Sequence, residues 1–179
     1  MAVNDSVLFV VNSSAAAVLF VAGVSKMVSP AQLGRALNAL VRSSGDGFAS
    51  GHVRAFAAVE ILAALALTGT ATRPAGAWAV GVLGASFAAA GVLGAVRGGG
   101  AVCGCLGATG GRPLGWFNVL AGALLMAVPA VNLAAAAPGS ATEYFFQSGT
   151  GLAFGALLVC GWAHRGLIKD LTRPLPASR

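Results

Sequence analysis

The sequence predicts an all-α fold, a polytopic helical bundle in a membrane. Three observations predict it. Of 179 residues, 11 are basic and 5 acidic, so charged residues make up 9%, against about 25% in a soluble globular domain. Hydrophobic residues make up 57% and the mean hydropathy is +0.83. The few charges are also unevenly spaced, leaving long uncharged stretches of helix-crossing length. Disorder is excluded, because disordered chains are polar. The net charge of +6 reflects scarce acids rather than abundant bases, so nucleic acid is not an expected partner. The expected environment is a lipid bilayer.

A bilayer-crossing helix needs about 20 mostly apolar residues. The stretch between Asp5 and Lys26 carries no charge and predicts a first helix over residues 7–28. No basic residue precedes it, so it is not expected to be a cleaved signal peptide. Residues 54–70 predict a second helix holding one acid, Glu60. A third is expected over 77–96, between Arg73 and Arg97. The uncharged stretch from Arg112 to Glu143 predicts a fourth over 114–133. A fifth is expected over 150–164. Residues 1–137 are then a four-helix membrane core. Residues 138–179 add a loop, a fifth transmembrane helix at the C-terminal side and a basic tail.

Five spans place Lys26, Arg35, Arg42, Arg54, Arg97, Arg112, Arg165, Lys169, Arg173 and Arg179 on one side, and Arg73 on the other. Positive residues collect on the cytoplasmic side. The N-terminus is expected outside and the C-terminus in the cytoplasm of a cell whose inner (plasma) membrane holds the chain. Gly81, Gly84, Ala88, Gly91 and Ala95 recur at helical spacing, and Gly151 and Gly155 form a GxxxG pair. Such stripes let helix backbones approach in lipid. Packing within one bundle is the simpler use of them, and the oligomeric state is left open.

The chemistry-bearing segment is Gly98-Gly-Gly-Ala-Val-Cys-Gly-Cys-Leu-Gly107. One glycine separates Cys103 from Cys105, and Gly104 permits the unusual backbone that so small a ring demands. A disulfide there would be strained and readily reduced, as catalytic or regulatory disulfides are. Arg97 and Arg112 flank the segment and favour thiolate. The competing reading is two small residues in a glycine-rich turn. Cys160 is the third cysteine, expected level with this segment, and His164 shares its helix face one turn on. Cys160 is a candidate resolving thiol. Three sulfurs and an imidazole (Cys103, Cys105, Cys160, His164) would also suit Cu or Zn. Buried cysteine is often plain apolar filling.

Glu60 is the one acid within a predicted span. Ionisable groups in lipid face the bundle and take a partner. Lys26, with its long stem, is the expected partner across the first two helices, either as a structural clamp or in proton handling. Asn118, Asn12, Ser13 and Ser14 are lesser polar candidates for interhelical hydrogen bonds. The sequence has no phosphate-binding glycine loop and no paired carboxylates, and nothing supports haem ligation by His52 in its loop and His164. No cofactor is firmly indicated. A quinone would suit a membrane thiol oxidase, but no residue argues for one.

Several motifs together resemble the MauE/DoxX family of membrane proteins. Val21-Ala-Gly-Val-Ser-Lys-Met-Val-Ser-Pro30 is similar to its Gly-x-x-Lys-x-x-x-Pro stretch. Ala58-Val-Glu-Ile-Leu62 is similar to its glutamate-bearing second helix, and Cys103-Gly-Cys-Leu-Gly107 to the Cys-x-Cys-Phe-Gly motif of the MauE branch. Asn118 falls where an Arg-Asn pair is usual. The order and spacing agree over about residues 7–135. Leu106 replaces the usual aromatic, and Phe117 stands where arginine is typical. The resemblance implies a DoxX-like four-helix core and a redox association. In its MauE branch it further implies maturation of a disulfide-rich enzyme of methylamine utilisation with a thioredoxin-like partner. It implicates Cys103 and Cys105 as redox thiols, and Lys26, Glu60 and Asn118 as polar residues of the bundle. Such a role places the thiols at the outer face, where disulfides persist, whereas the charges place them inside. A pair reachable from both sides would reconcile the two. The functions then expected are a membrane thiol–disulfide oxidoreductase with a redox protein partner, a metal-binding or metal-delivery protein, or a non-catalytic subunit of a membrane complex.

Overall fold

A computed structural model describes residues 5–41, 49–97, 115–135 and 141–163. The described residues form helices only: α1 (Asp5–Val28), α2 (Pro30–Val41), α3 (Ser50–Ala66), α4 (Arg73–Arg97), α5 (Trp116–Met126), α6 (Val128–Ala134) and α7 (Ala141–Ala163). Among the described residues, four stretches are long and apolar enough to cross a membrane: Ser6–Val28, Arg73–Arg97, Trp116–Ala134 and Tyr144–Gly161. This is an all-α polytopic bundle, the fold of a multi-pass membrane protein. α3 has 17 residues, about 25 Å at 1.5 Å per residue, against about 30 Å of hydrocarbon.

The helix ends differ from the sequence expectation in four places. The second predicted helix starts at Ser50 and stops at Ala66 rather than spanning 54–70. Its last carbonyls are taken up by the turn that follows: Thr68 Oγ1 donates to Leu65 O at 2.7 Å and Thr72 Oγ1 to Ala66 O at 2.8 Å. These hydroxyls satisfy acceptors that a helix end leaves open. The expected 29–53 loop contains α2, which begins at Pro30, where a missing N–H costs nothing. Its Leu33 and Ala36 are buried while Arg35 is exposed. The fourth helix is broken into α5 and α6 at Ala127, because Pro129 has no N–H to donate back to Leu125. The fifth starts at Ala141 instead of 150, because a helix continues past the charge that ends its apolar stretch.

Close approach at glycines sets the arrangement. A Cβ on Gly23 of α1 would lie 2.7 Å from Ile61 Cγ1 and 2.9 Å from Ala57 O of α3. A Cβ on Gly122 of α5 would lie 2.5 Å from Gly84 O of α4. Gly81 faces Pro129 and Gly91 faces Val119, so α4 and α5–α6 run antiparallel along the expected small-residue stripe. Gly151 and Gly155 of α7 meet Ser13 and Ala17 of α1, with the two helices parallel. Both stripes are spent inside the bundle. The core between α1, α3 and α4 centres on Leu19, Ala64, Leu67, Val80 and Leu83. α7 packs on α1 and leaves Phe154, Leu157 and Leu158 exposed.

This topology brings the C-terminal ends of α1 and α4 and the N-terminal ends of α3 and α5 to one end of the bundle. Lys26, Arg54 and Arg97 lie toward that end, and Arg73 lies at the opposite one.

Candidate functional site

Lys26 and Glu60 meet inside the bundle. Lys26 is in the last turn of α1, three residues beyond Gly23, and Glu60 is on the α3 surface that Gly23 contacts. Three residues is close to one helical turn, so the close approach at Gly23 carries Lys26 directly to Glu60. Lys26 Nζ donates to Glu60 Oε1 at 2.5 Å. Their side chains are 1% and 0% exposed. Because α3 starts four residues earlier than expected, Glu60 lies ten residues in, about 15 Å from the helix start.

The pair is only partly satisfied among the described residues. Glu60 Oε2 is buried and has no hydrogen-bond partner among the described residues. The Lys26 ammonium stands 5.7 Å from the ring centre of Phe56 and 5.2 Å from that of Phe87, within cation–π range. The two rings meet edge to face, 6.2 Å apart. Glu60, two aromatic faces and the closure of α1 on α3 therefore hold one ammonium in place.

A cavity of about 310 Å³ opens beside this group. Leu33, Val53, Phe56 and Phe87 form its apolar walls, and Lys26, His52, Ser86 and Asn118 supply its polar edges. Ser86 Oγ donates to Leu83 O at 2.7 Å, which uses up its proton. His52, expected in a loop, is in the first turn of α3. Asn118 is in the first turn of α5, against Gly91. Pockets of this kind, mostly apolar with a few converging polar groups, are where small ligands bind.

A second polar cluster, missed in the sequence apart from Asn12, lies at the opposite end. Asn12 Nδ2 donates to Asn132 Oδ1 at 3.1 Å, and Asn132 Nδ2 returns a bond to Asn12 Oδ1 at 2.8 Å. Asn12 Nδ2 also reaches Tyr144 OH at 3.0 Å, and that hydroxyl donates to Leu67 O at 3.0 Å. The Arg73 guanidinium lies 5.6 Å from the Tyr144 ring centre. These bonds tie α1, α6, α7 and the end of α3 together. The Asn132 amide could have been flagged as a polar group in an apolar stretch, as Asn118 was.

The thiols are the remaining candidates. Cys103, Cys105 and Arg112 lie in the α4–α5 connection, and His164 follows α7; all four are outside the described residues. Arg97 closes α4, exposed, at the start of that connection. Cys160 is a free, exposed thiol three residues before the end of α7. The parallel packing of α7 on α1 puts it toward the Lys26 end of the bundle. Among the described residues no three of His, Cys, Asp and Glu come together as metal ligands.

No curated protein and no solved structure matches the chain. The family described as methylamine utilisation protein MauE matches residues 4–137. That match runs from the start of α1 through α6, taking in the Lys26–Glu60 pair, the cavity and the Cys-x-Cys connection. By it, this membrane bundle belongs to the MauE family.

Proposed function

We propose that the protein is a membrane thiol–disulfide redox protein linked to methylamine utilisation, with Cys103 and Cys105 as its catalytic pair. The observation that carries this reading is topological. The chain's closely spaced cysteine pair lies in the connection between α4 and α5, and these two helices contribute Phe87 and Asn118 to the cavity beside the buried Lys26–Glu60 pair. A reactive pair on the connection between two helices that line a preformed, largely apolar site suits a relay. Membership of the MauE family supports it.

In this reading one cysteine, as thiolate, attacks a disulfide of a thioredoxin-like partner and forms a mixed disulfide. The second cysteine displaces the partner's thiol and closes the Cys103–Cys105 bond. Arg97 and Arg112 flank the pair and favour thiolate. Lys26 and Glu60 clamp α1 to α3, and Asn118 holds the start of α5 against α4. The family is named for methylamine utilisation, and the resemblance of the Cys-x-Cys segment to its MauE branch implies maturation of a disulfide-containing enzyme as the end of the relay. Residues 1–137 form the working core and the fifth helix with its basic tail anchors it in the inner membrane, N-terminus outside and C-terminus in the cytoplasm.

Trapping tests the reading. Single Cys103→Ser and Cys105→Ser variants in native membranes should each leave a thiol that cannot be resolved. At least one should accumulate a reductant-sensitive adduct with another protein on a non-reducing gel. Absence of an adduct from both variants, with both present at wild-type abundance, contradicts it.

A further inference from the structure

We propose that Arg73 holds the phosphate of an anionic phospholipid, at the end of the bundle opposite the Lys26–Glu60 pair. Arg73 is 9% exposed, the most open of the buried polar residues, so its side chain reaches the rim of the bundle. Its Nε and Nη1 are nevertheless buried and have no hydrogen-bond acceptor among the described residues. No described carboxylate pairs with it, since Glu60 is taken by Lys26. The Tyr144 ring, 5.6 Å away, meets the guanidinium, but a ring face is a weaker partner for a cation than an anion is. A cation taken out of water with idle donors is costly until an anion joins it.

Position selects the anion. Arg73 opens the apolar stretch Arg73–Arg97, and Tyr144 beside it opens Tyr144–Gly161. Two membrane-crossing stretches start at this point, so the guanidinium stands where hydrocarbon gives way to headgroups. Trp78 of α4 is exposed just inside that level, as tryptophans at a bilayer boundary are. Phe145 and Phe146 of α7 are exposed there too and offer surface to acyl chains. A planar guanidinium matches the oxygens of a phosphate. The start of α4 adds partial positive charge rather than donors: Arg73 N and Gly76 N are bonded to Gly69 O and Thr72 O, each at 2.8 Å, and Pro74 has no N–H. Arg73 is the sole Lys or Arg between Arg54 and Arg97, so the site holds one headgroup. Its uncompensated charge favours an anionic lipid over a zwitterionic one. None of this depends on the thiol relay.

The test is native mass spectrometry of the full chain released from nanodiscs of mixed phosphatidylglycerol and phosphatidylcholine. Wild type should retain one phosphatidylglycerol per chain. Arg73→Gln should lower that retention about tenfold, as loss of one charged hydrogen-bonded contact does. Arg73→Lys keeps the charge without the planar fork and should lower it by about threefold; it carries the test if Arg73→Gln fails to fold. Phosphatidylglycerol should also raise the melting temperature of wild type more than that of either variant. Retention that neither variant lowers, or equal retention of phosphatidylcholine, overturns the assignment. Excess inorganic phosphate should leave the lipid in place; displacement overturns the lipid source and makes this a site for the soluble ion. Asp5→Asn and Glu143→Gln, which neutralise the acids at the starts of α1 and α7, should leave retention unchanged. A rise of about tenfold in either makes the chain's own carboxylate the partner of Arg73 and overturns the proposal.

Discussion

Lys26 of α1 and Glu60 of α3 form an ion pair with a 2.5 Å contact between helices that touch at Gly23. Two charges this deep in an apolar bundle persist because each neutralises the other. Taking either out of water alone costs several kcal/mol, and a close partner offsets the loss. The pair also explains why Gly23 is small: the Cβ that would press on Ile61 and Ala57 is the one that would separate Lys26 from Glu60.

Removing one partner should be worse than removing both. Glu60→Gln leaves the Lys26 charge unpaired and should destabilise the protein by about 3 kcal/mol. The double variant Lys26→Met/Glu60→Leu should recover most of that. Thermal unfolding in detergent reads both. If the double variant is stable but its cysteines no longer cycle, the pair also acts in the chemistry.

Glycine replacements should sort by contact. Gly122→Val forces a side chain onto the α4 backbone, where even a Cβ would lie 2.5 Å from Gly84 O and 2.6 Å from Ala88 N. It should separate α4 from α5 and abolish stable expression. Gly149→Ala meets nothing within 4 Å and should be neutral or gain up to about 1 kcal/mol of helix stability. Expression level and melting temperature distinguish the two.

Tyr144→Phe removes the hydroxyl that links Asn12 to Leu67 O. The expected loss is about 1 kcal/mol, the usual worth of one hydrogen bond. Asn12→Leu also takes the donor from Asn132 Oδ1, while Asn132 Nδ2 keeps its bond to Val128 O at 2.9 Å, and should cost more. The order of the two melting temperatures checks the network.

Orientation is open to direct measurement. With the Lys26 end of the bundle facing the cytoplasm, a membrane-impermeant maleimide added to intact cells should leave Cys160 unmodified. The same reagent should modify it in inside-out vesicles, where Cys160 is exposed near the end of α7.

How far the sequence could be read depends on what each signal measures. Charge-free intervals mark apolar stretches, and they located the α1, α4, α5–α6 and α7 stretches because lipid excludes charge. They do not mark helix ends. Those are set by hydroxyls such as Thr68 and Thr72 and by prolines such as Pro30 and Pro129, acting through the backbone. α2 escaped because a 12-residue helix with alternating buried Leu33 and exposed Arg35 reads as a polar loop when only charges are followed. Glu60 and Lys26 stood out because isolated charges in apolar surroundings demand partners. The cavity had no sequence signature, since Phe56, Phe87 and Val53 look like core residues until five helices are assembled around them. The Asn12–Asn132–Tyr144 network had only the faint signal of amides in apolar stretches.

The central claim is that Cys103 and Cys105 are a redox pair. Its most direct measurement is an alkylation-shift assay in native membranes, with each cysteine scored by mass spectrometry. The account predicts that Cys103 and Cys105 are joined to each other under mild oxidant and both alkylated after mild reductant, while Cys160 stays free throughout. Cys103 and Cys105 that remain alkylatable under oxidant, in a protein whose Cys103→Ser/Cys105→Ser variant keeps full function, would contradict it.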